Sequence, residues 1–164
     1  MPELIPSLSE VDDFLSKKKE IDSRMKWKNK GKAFLEWSSI LIDEDGISIP
    51  TARIILTANQ DEALYRFSFV LYYRGINIRR LDIDDYHRRT NPVSCPEYPG
   101  QRIIGNHLHK WNPENGAECV IPVDMPAKSK TYEEWFYYYL GLVNLVYNDV
   151  YNTPPLIKTA PRLF

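Results

Sequence analysis

Histidine, cysteine and glycine are all scarce in this chain of 164 residues, which holds 3, 2 and 7 of them. The cysteines, Cys95 and Cys119, stand among polar, proline-rich segments. With no second pair they form neither a disulfide framework nor a tetrahedral zinc pattern, so thiols in a reduced compartment are the expectation. Neither has a histidine or other base at a diagnostic spacing, which argues against a catalytic thiol. No apolar run approaches the roughly 20 residues that span a bilayer, and Met1 to Pro6 lack a basic region followed by an apolar stretch. A cytoplasmic protein with no membrane partner is the reading. Nor does charge of one sign dominate: 21 Lys and Arg stand against 22 Asp and Glu, a formal net charge of -1. No overall field then steers the molecule to a polyanion, and nucleic-acid binding requires a local basic patch.

Apolar material is ample, at 43% hydrophobic and 13% aromatic residues, enough for one domain to bury a core without staples. The pattern along the chain predicts a single α+β domain over 1–164. Its parts are a helix and basic connector over 1–32, a sheet over 33–123, a packing helix over 131–150 and an extended tail over 152–164. Ser7 or Ser9 with Glu10 caps the opening helix, which ends at Lys17-Lys18-Lys19. Phe34 to Ile42 and Ile47 to Thr57 read as a hairpin about Asp43-Glu44-Asp45-Gly46, with Pro50 marking an edge position or a bulge. Tyr65 to Tyr73 alternates, and Arg74-Gly75 turns the chain into Ile76 to Ile83. Successive strands on short turns imply a mainly antiparallel meander, which Gln101 to Trp111 and Glu118 to Val123 extend to about five or six strands. Thr131 with Glu134 is a capping box that opens the second helix.

Two basic regions border candidate surfaces. Arg24, Lys26, Lys28, Lys30 and Lys32 surround Trp27, a composition that suits either a solvated connector or a clasp for RNA phosphates with a stacked base. In Ile76 to Ile83, alternation puts Arg80 with Ile76 and Ile78, and Arg79 with Asn77, Leu81 and Ile83. Either mixed face can line a site.

All of the histidines fall between Asp82 and Trp111. On a strand, His107 and His109 point to one face about 7 Å apart along the chain, since each residue rises about 3.3 Å. Three readings compete. A divalent metal such as zinc takes His107 and His109 with a third ligand from His87, Asp82, Asp84 or Asp85. A metal-independent site cleaves a phosphodiester with one histidine as base and another as acid, while Arg79, Arg80, Arg88, Arg89 or Arg102 neutralises the transition state. In the third, the histidines hydrogen-bond the turns suggested by Asp82, Asn91 and Asn106, or form a polar surface for a protein partner. No cofactor is assigned.

Arg80-Leu81-Asp82, His87, Asn91-Pro92 and Ile104-Gly105-Asn106-His107-Leu108-His109 together resemble a group of small prokaryotic and phage proteins. That group is similar in layout to the TumE-type toxins of toxin-antitoxin pairs, and the resemblance runs from about Arg53 to Tyr147. It implies a component of a mobile-element or defence locus: a toxin acting on RNA, with His87, His107 and His109 as catalytic residues and Arg80 and Asp82 as supports. RNA and an antitoxin are the partners so implied. The alternative is a non-catalytic binding module, a phage-encoded inhibitor or a subunit of a defence complex, that uses the aromatic helix and the proline-rich tail. Where the group has a brief asparagine-proline-aspartate-glycine turn, this chain has the longer Asn91 to Gly100.

Overall fold

The computed structural model describes residues 5–31 and 33–157. In chain order the elements are α1 (Leu8–Ser16), β1 (Lys19–Ile21), β2 (Lys28–Lys30), β3 (Phe34–Ile42), β4 (Ser48–Asn59), β5 (Phe67–Tyr73) and β6 (Ile76–Ile83). They continue with β7 (Arg88–Thr90), β8 (Arg102–Ile104), β9 (His107–Lys110), β10 (Val120–Pro122), a 3-10 turn at Ala127–Ser129, α2 (Tyr132–Val143) and β11 (Leu145–Val146). Among the described residues no helix is long and apolar enough to cross a membrane.

The predicted antiparallel meander is the middle of a larger sheet. Among the described residues nine strands form it, ordered β10-β9-β6-β5-β4-β3-β1-β11 with β2 beside β3, while β7 and β8 form a separate two-stranded sheet. All pairings are antiparallel except that of β1 with β11. The count exceeds the expected five or six because β1, β2, β7, β8, β10 and β11 are two or three residues long, too short for periodicity to reveal. Gln101 to Trp111 is likewise not one strand. Gly105 adopts φ +90°, a backbone that L side chains avoid, and there the chain leaves β8 for β9 in the other sheet.

Residues paired directly across antiparallel strands share a face. One row runs Trp37, Leu56, Phe69, Leu81, Leu108, and the next runs Leu35, Ala58, Phe67, Ile83. All nine are buried. Against this face α2 sets Trp135, Phe136, Tyr139 and Leu140, with Tyr139 stacked on Phe69 at 5.3 Å between ring centroids, and α1 adds Val11 and Phe14. The helices start as predicted, since Ser7 with Glu10 and Thr131 with Glu134 both form complete capping boxes. Of the aromatic run, Trp135, Phe136 and Tyr139 enter the core while Tyr137 faces solvent, as helical geometry requires. The lysine run is not wholly solvated. Lys19 is buried, and its Nζ donates to the carbonyls of Phe14 and Lys17, closing the end of α1.

A bulge corrects the predicted faces of β6. Leu71 pairs with Arg79 and Tyr72 with Asn77, so Ile78 is the extra residue and Asn77 no longer shares a side with Arg79. The second face of the sheet carries the rows Thr57, Ser68, Asp82, His107 and Ile55, Val70, Arg80, His109. The segment from Asp84 to Gly105, which includes the β7–β8 hairpin, folds over the far end of that face. Cys95 is disulfide-bonded to Cys119 there, which corrects the expectation of two free thiols. The tail is described as far as Ile157, which bridges to Asp61; Lys32 of the basic connector and the tail beyond Ile157 lie outside the described residues.

Trp135 is fully buried and its indole N–H donates to the carbonyl of Ala127. Trp135→Ala should therefore cost about 3–5 kcal/mol, read by urea unfolding; a loss under about 1 kcal/mol would contradict the placement of α2 at the centre of the core.

Candidate functional site

The β6–β9 register makes the site. Asp82 pairs with His107 and Arg80 with His109, so a carboxylate and two imidazoles stand on adjacent strands of one face. Three atoms converge: Asp82 Oδ2 lies 3.1 Å from His107 Nε2 and 3.0 Å from His109 Nε2, and the two Nε2 atoms are 3.1 Å apart. His107 and His109 are both buried. Burial works to raise the Asp82 carboxyl, but hydrogen bonds from His107 and His109 when an Nε2 carries a proton, and after them the Arg80 charge, hold it well below the usual carboxylate range.

The opposite edge of each ring is fixed as well. His107 Nδ1 is 2.9 Å from the carbonyl of Gly105, and His109 Nδ1 is 2.8 Å from the carbonyl of Ala117. A carbonyl only accepts, so both Nδ1 atoms are the protonated ones, and a neutral ring then presents a bare lone pair at Nε2. Two such lone pairs and a carboxylate oxygen repel one another at this separation. The cluster thus requires positive charge at its centre, supplied by a proton or by a cation.

His87 does not join this convergence. Its ring stacks on that of His107, with centroids 4.7 Å apart, and it remains exposed. Partial burial, and after it the neighbouring His107, lower its pKa from the ordinary imidazole value. The other candidate ligands are engaged elsewhere. Asp84 pairs with Arg66 at 3.2 Å, and Asp85 accepts from the backbone N–H of Ala127 at 2.8 Å.

Beside the cluster is a cleft of about 180 Å³, lined among others by Phe34, Arg66, Ser68, Arg80, Asp82 and His87. Asp82 belongs to both cluster and cleft. Arg80 donates from Nε to Asp82 at 2.7 Å, and Arg66 faces Asp84 through Nε. Among the described residues neither guanidinium makes a further hydrogen bond, so the terminal nitrogens of each are left to a ligand. The remaining predicted arginines are not in the cleft. Arg79 lies on the opposite face, in the row of Leu71, and its Nη1 donates to the carbonyl of Ile78. Arg89 donates twice to the carbonyl of Glu118, which ties the hairpin to the segment before β10. Arg88 and Arg102 are exposed on β7 and β8.

Sequence reasoning missed Arg66, Ser68 and Phe34 as cleft residues, and the carbonyls of Gly105 and Ala117 as holders of the rings. The alternation of Arg66 and Ser68 with Tyr65, Phe67 and Phe69 was the available signal for the first two. No family model, no curated protein and no solved structure matches the chain. The likeness to TumE-type toxins rests on the short motifs alone.

Asn106 holds the turn that delivers β9. It is buried, its Oδ1 accepts from the N–H of Asp84, and its Nδ2 donates to the carbonyl of Met125. Asn106→Ala leaves those groups unsatisfied and should cost about 1–3 kcal/mol in chemical denaturation; an unchanged midpoint would show that the turn does not depend on the amide.

Proposed function

We propose that this chain is a toxin-like ribonuclease that cleaves phosphodiester bonds in the cleft of Arg66, Arg80 and His87. One observation supports this above the others: two guanidinium groups, each tethered through Nε by a carboxylate, present their free ends beside an exposed imidazole. A guanidinium fork matches two phosphate oxygens, and a fork already fixed at one edge loses little freedom on binding. His87 exchanges the proton of the attacking hydroxyl, and the arginines bear the negative charge that accumulates on phosphorus. Phe34, 45% exposed at the wall of the cleft, offers a face on which a base stacks. His107 and His109 have a different part from the one expected of them. Neither ring lines the cleft, and their Nε2 atoms turn to Asp82, so they fix the carboxylate that orients Arg80. Action on cellular RNA takes place in the cytoplasm, where glutathione reduces accessible disulfides. Cys95 and Cys119 are both buried, which shields their bond.

Purified protein should cleave a fluorescently labelled RNA, with His87→Ala slower by about 10²–10⁴-fold and Arg66→Ala slower by about tenfold to a hundredfold. Arg102→Ala, on the exposed β8, should leave the rate unchanged. Induced expression of the wild type, but not of His87→Ala, should arrest growth of a bacterial host. Intact RNA after incubation with folded wild-type protein and divalent cations would overturn the proposal, as would full activity in His87→Ala.

A further inference from the structure

The geometry points to a divalent first-row metal ion held by Asp82 Oδ2, His107 Nε2 and His109 Nε2, at the edge of the cleft that Asp82 also lines. The three atoms form a triangle with edges of 3.0–3.1 Å. Ligands about 2.1 Å from a common ion are separated by about 3.0–3.4 Å in octahedral or tetrahedral arrangements, so the triangle has the size of one face of a coordination sphere. An ion seated on it removes the conflict among the three facing donors, because each lone pair then has a cation as its partner.

Two further features set this cluster apart from a chance meeting of polar side chains. Both imidazoles are held at Nδ1 by a backbone carbonyl, the outer hydrogen bond that fixes the tautomer and ring plane of a metal-binding histidine. Those carbonyls come from opposite sides, Gly105 just before β9 and Ala117 just before β10, and each segment is independently anchored. The N–H of Gly105 donates to the carbonyl of His87, and Cys119, two residues beyond Ala117, is bonded to Cys95. The carboxylate is fixed too, through its other oxygen, by Arg80. All three ligands are therefore set in place before any ion arrives.

Charge in the cleft makes the same demand. Arg66 and Arg80 are balanced by Asp84 and Asp82, so the polar wall carries no net charge apart from His87. A phosphodiester is an anion, and a bound divalent ion makes this wall positive while activating a water or polarising a phosphoryl oxygen. This last step rests on the proposed ribonuclease activity; ion binding itself does not.

Protein purified without a histidine tag, stripped with a chelator and titrated with zinc(II) or cobalt(II) chloride should take up one ion per chain by calorimetry and elemental analysis. Saturation should raise the thermal midpoint of the wild type. Asp82→Asn and His109→Gln, which keep side-chain size, should weaken binding by more than about 100-fold and abolish the thermal shift, whereas Asp85→Asn should bind as the wild type does. Folded wild type that takes up neither ion overturns the inference, as does uptake unchanged in both ligand variants. RNA cleavage run in parallel separates the two proposals. Cleavage by ion-free protein that is insensitive to added metal sinks the ion's part in catalysis and keeps the nuclease; stoichiometric, ligand-dependent uptake without cleavage keeps the metal centre and sinks the nuclease.

Discussion

The pairing of β6 with β9 is the constraint on which the rest depends. Because Asp82 stands directly across from His107, its carboxylate reaches both that ring and the ring two residues further along the same face. A slip of one residue would turn both imidazoles toward the helices and bring Leu108 out in their place. The register is held on the other side of the sheet, where Leu81 meets Leu108 in the row that α2 covers. Truncating a fully buried leucine costs about 2–5 kcal/mol, which measures how strongly the hydrophobic face dictates the geometry of the polar one. Core and site are two faces of one pairing.

A second layer makes the polar face into a site. The segment from Asp84 to Gly105 brings the ring of His87 over His107 and is tied to the edge of β10 at several points. The side chain of Asn91 both donates to the carbonyl of Val120 and accepts from its N–H, Arg89 grips Glu118, and Cys95 is bonded to Cys119. Ala117, whose carbonyl orients His109, sits at the start of this tied stretch. The stretch from Asn91 to Gly100 thus supplies much of the clamp that fixes one imidazole from behind.

Much of this was legible in the residues and some of it was not. Capping boxes at Ser7 and Thr131, the turn at Asp43 to Gly46 and the alternation after Tyr65 each carry a local cause, and the corresponding elements formed. The shared face of His107 and His109 followed from the period of a strand. What escaped was set by contacts distant in sequence. The bulge at Ile78, which turns Asn77 off the side of Arg79, appears only when β6 is laid against β5. The choice of Asp82 over Asp84 and Asp85 needed the β6–β9 register, and the meeting of Cys95 with Cys119, 24 residues apart, needed the hairpin to fold back on β10. Strands of two or three residues have no period to read.

Both imidazoles hold their proton at Nδ1, so that with a metal ion at the centre of the cluster each Nε2 faces it, beside the Asp82 carboxylate, as an unprotonated donor. Long-range proton–nitrogen NMR correlations of the histidine side chains, recorded on zinc(II)-loaded protein at mildly alkaline pH, report that directly. The account predicts the Nδ1–H tautomer for His107 and His109 alike, with His87 distinct from both. An Nε2–H tautomer at either buried ring would mean that the carbonyls of Gly105 and Ala117 do not hold these side chains, and it would contradict the account.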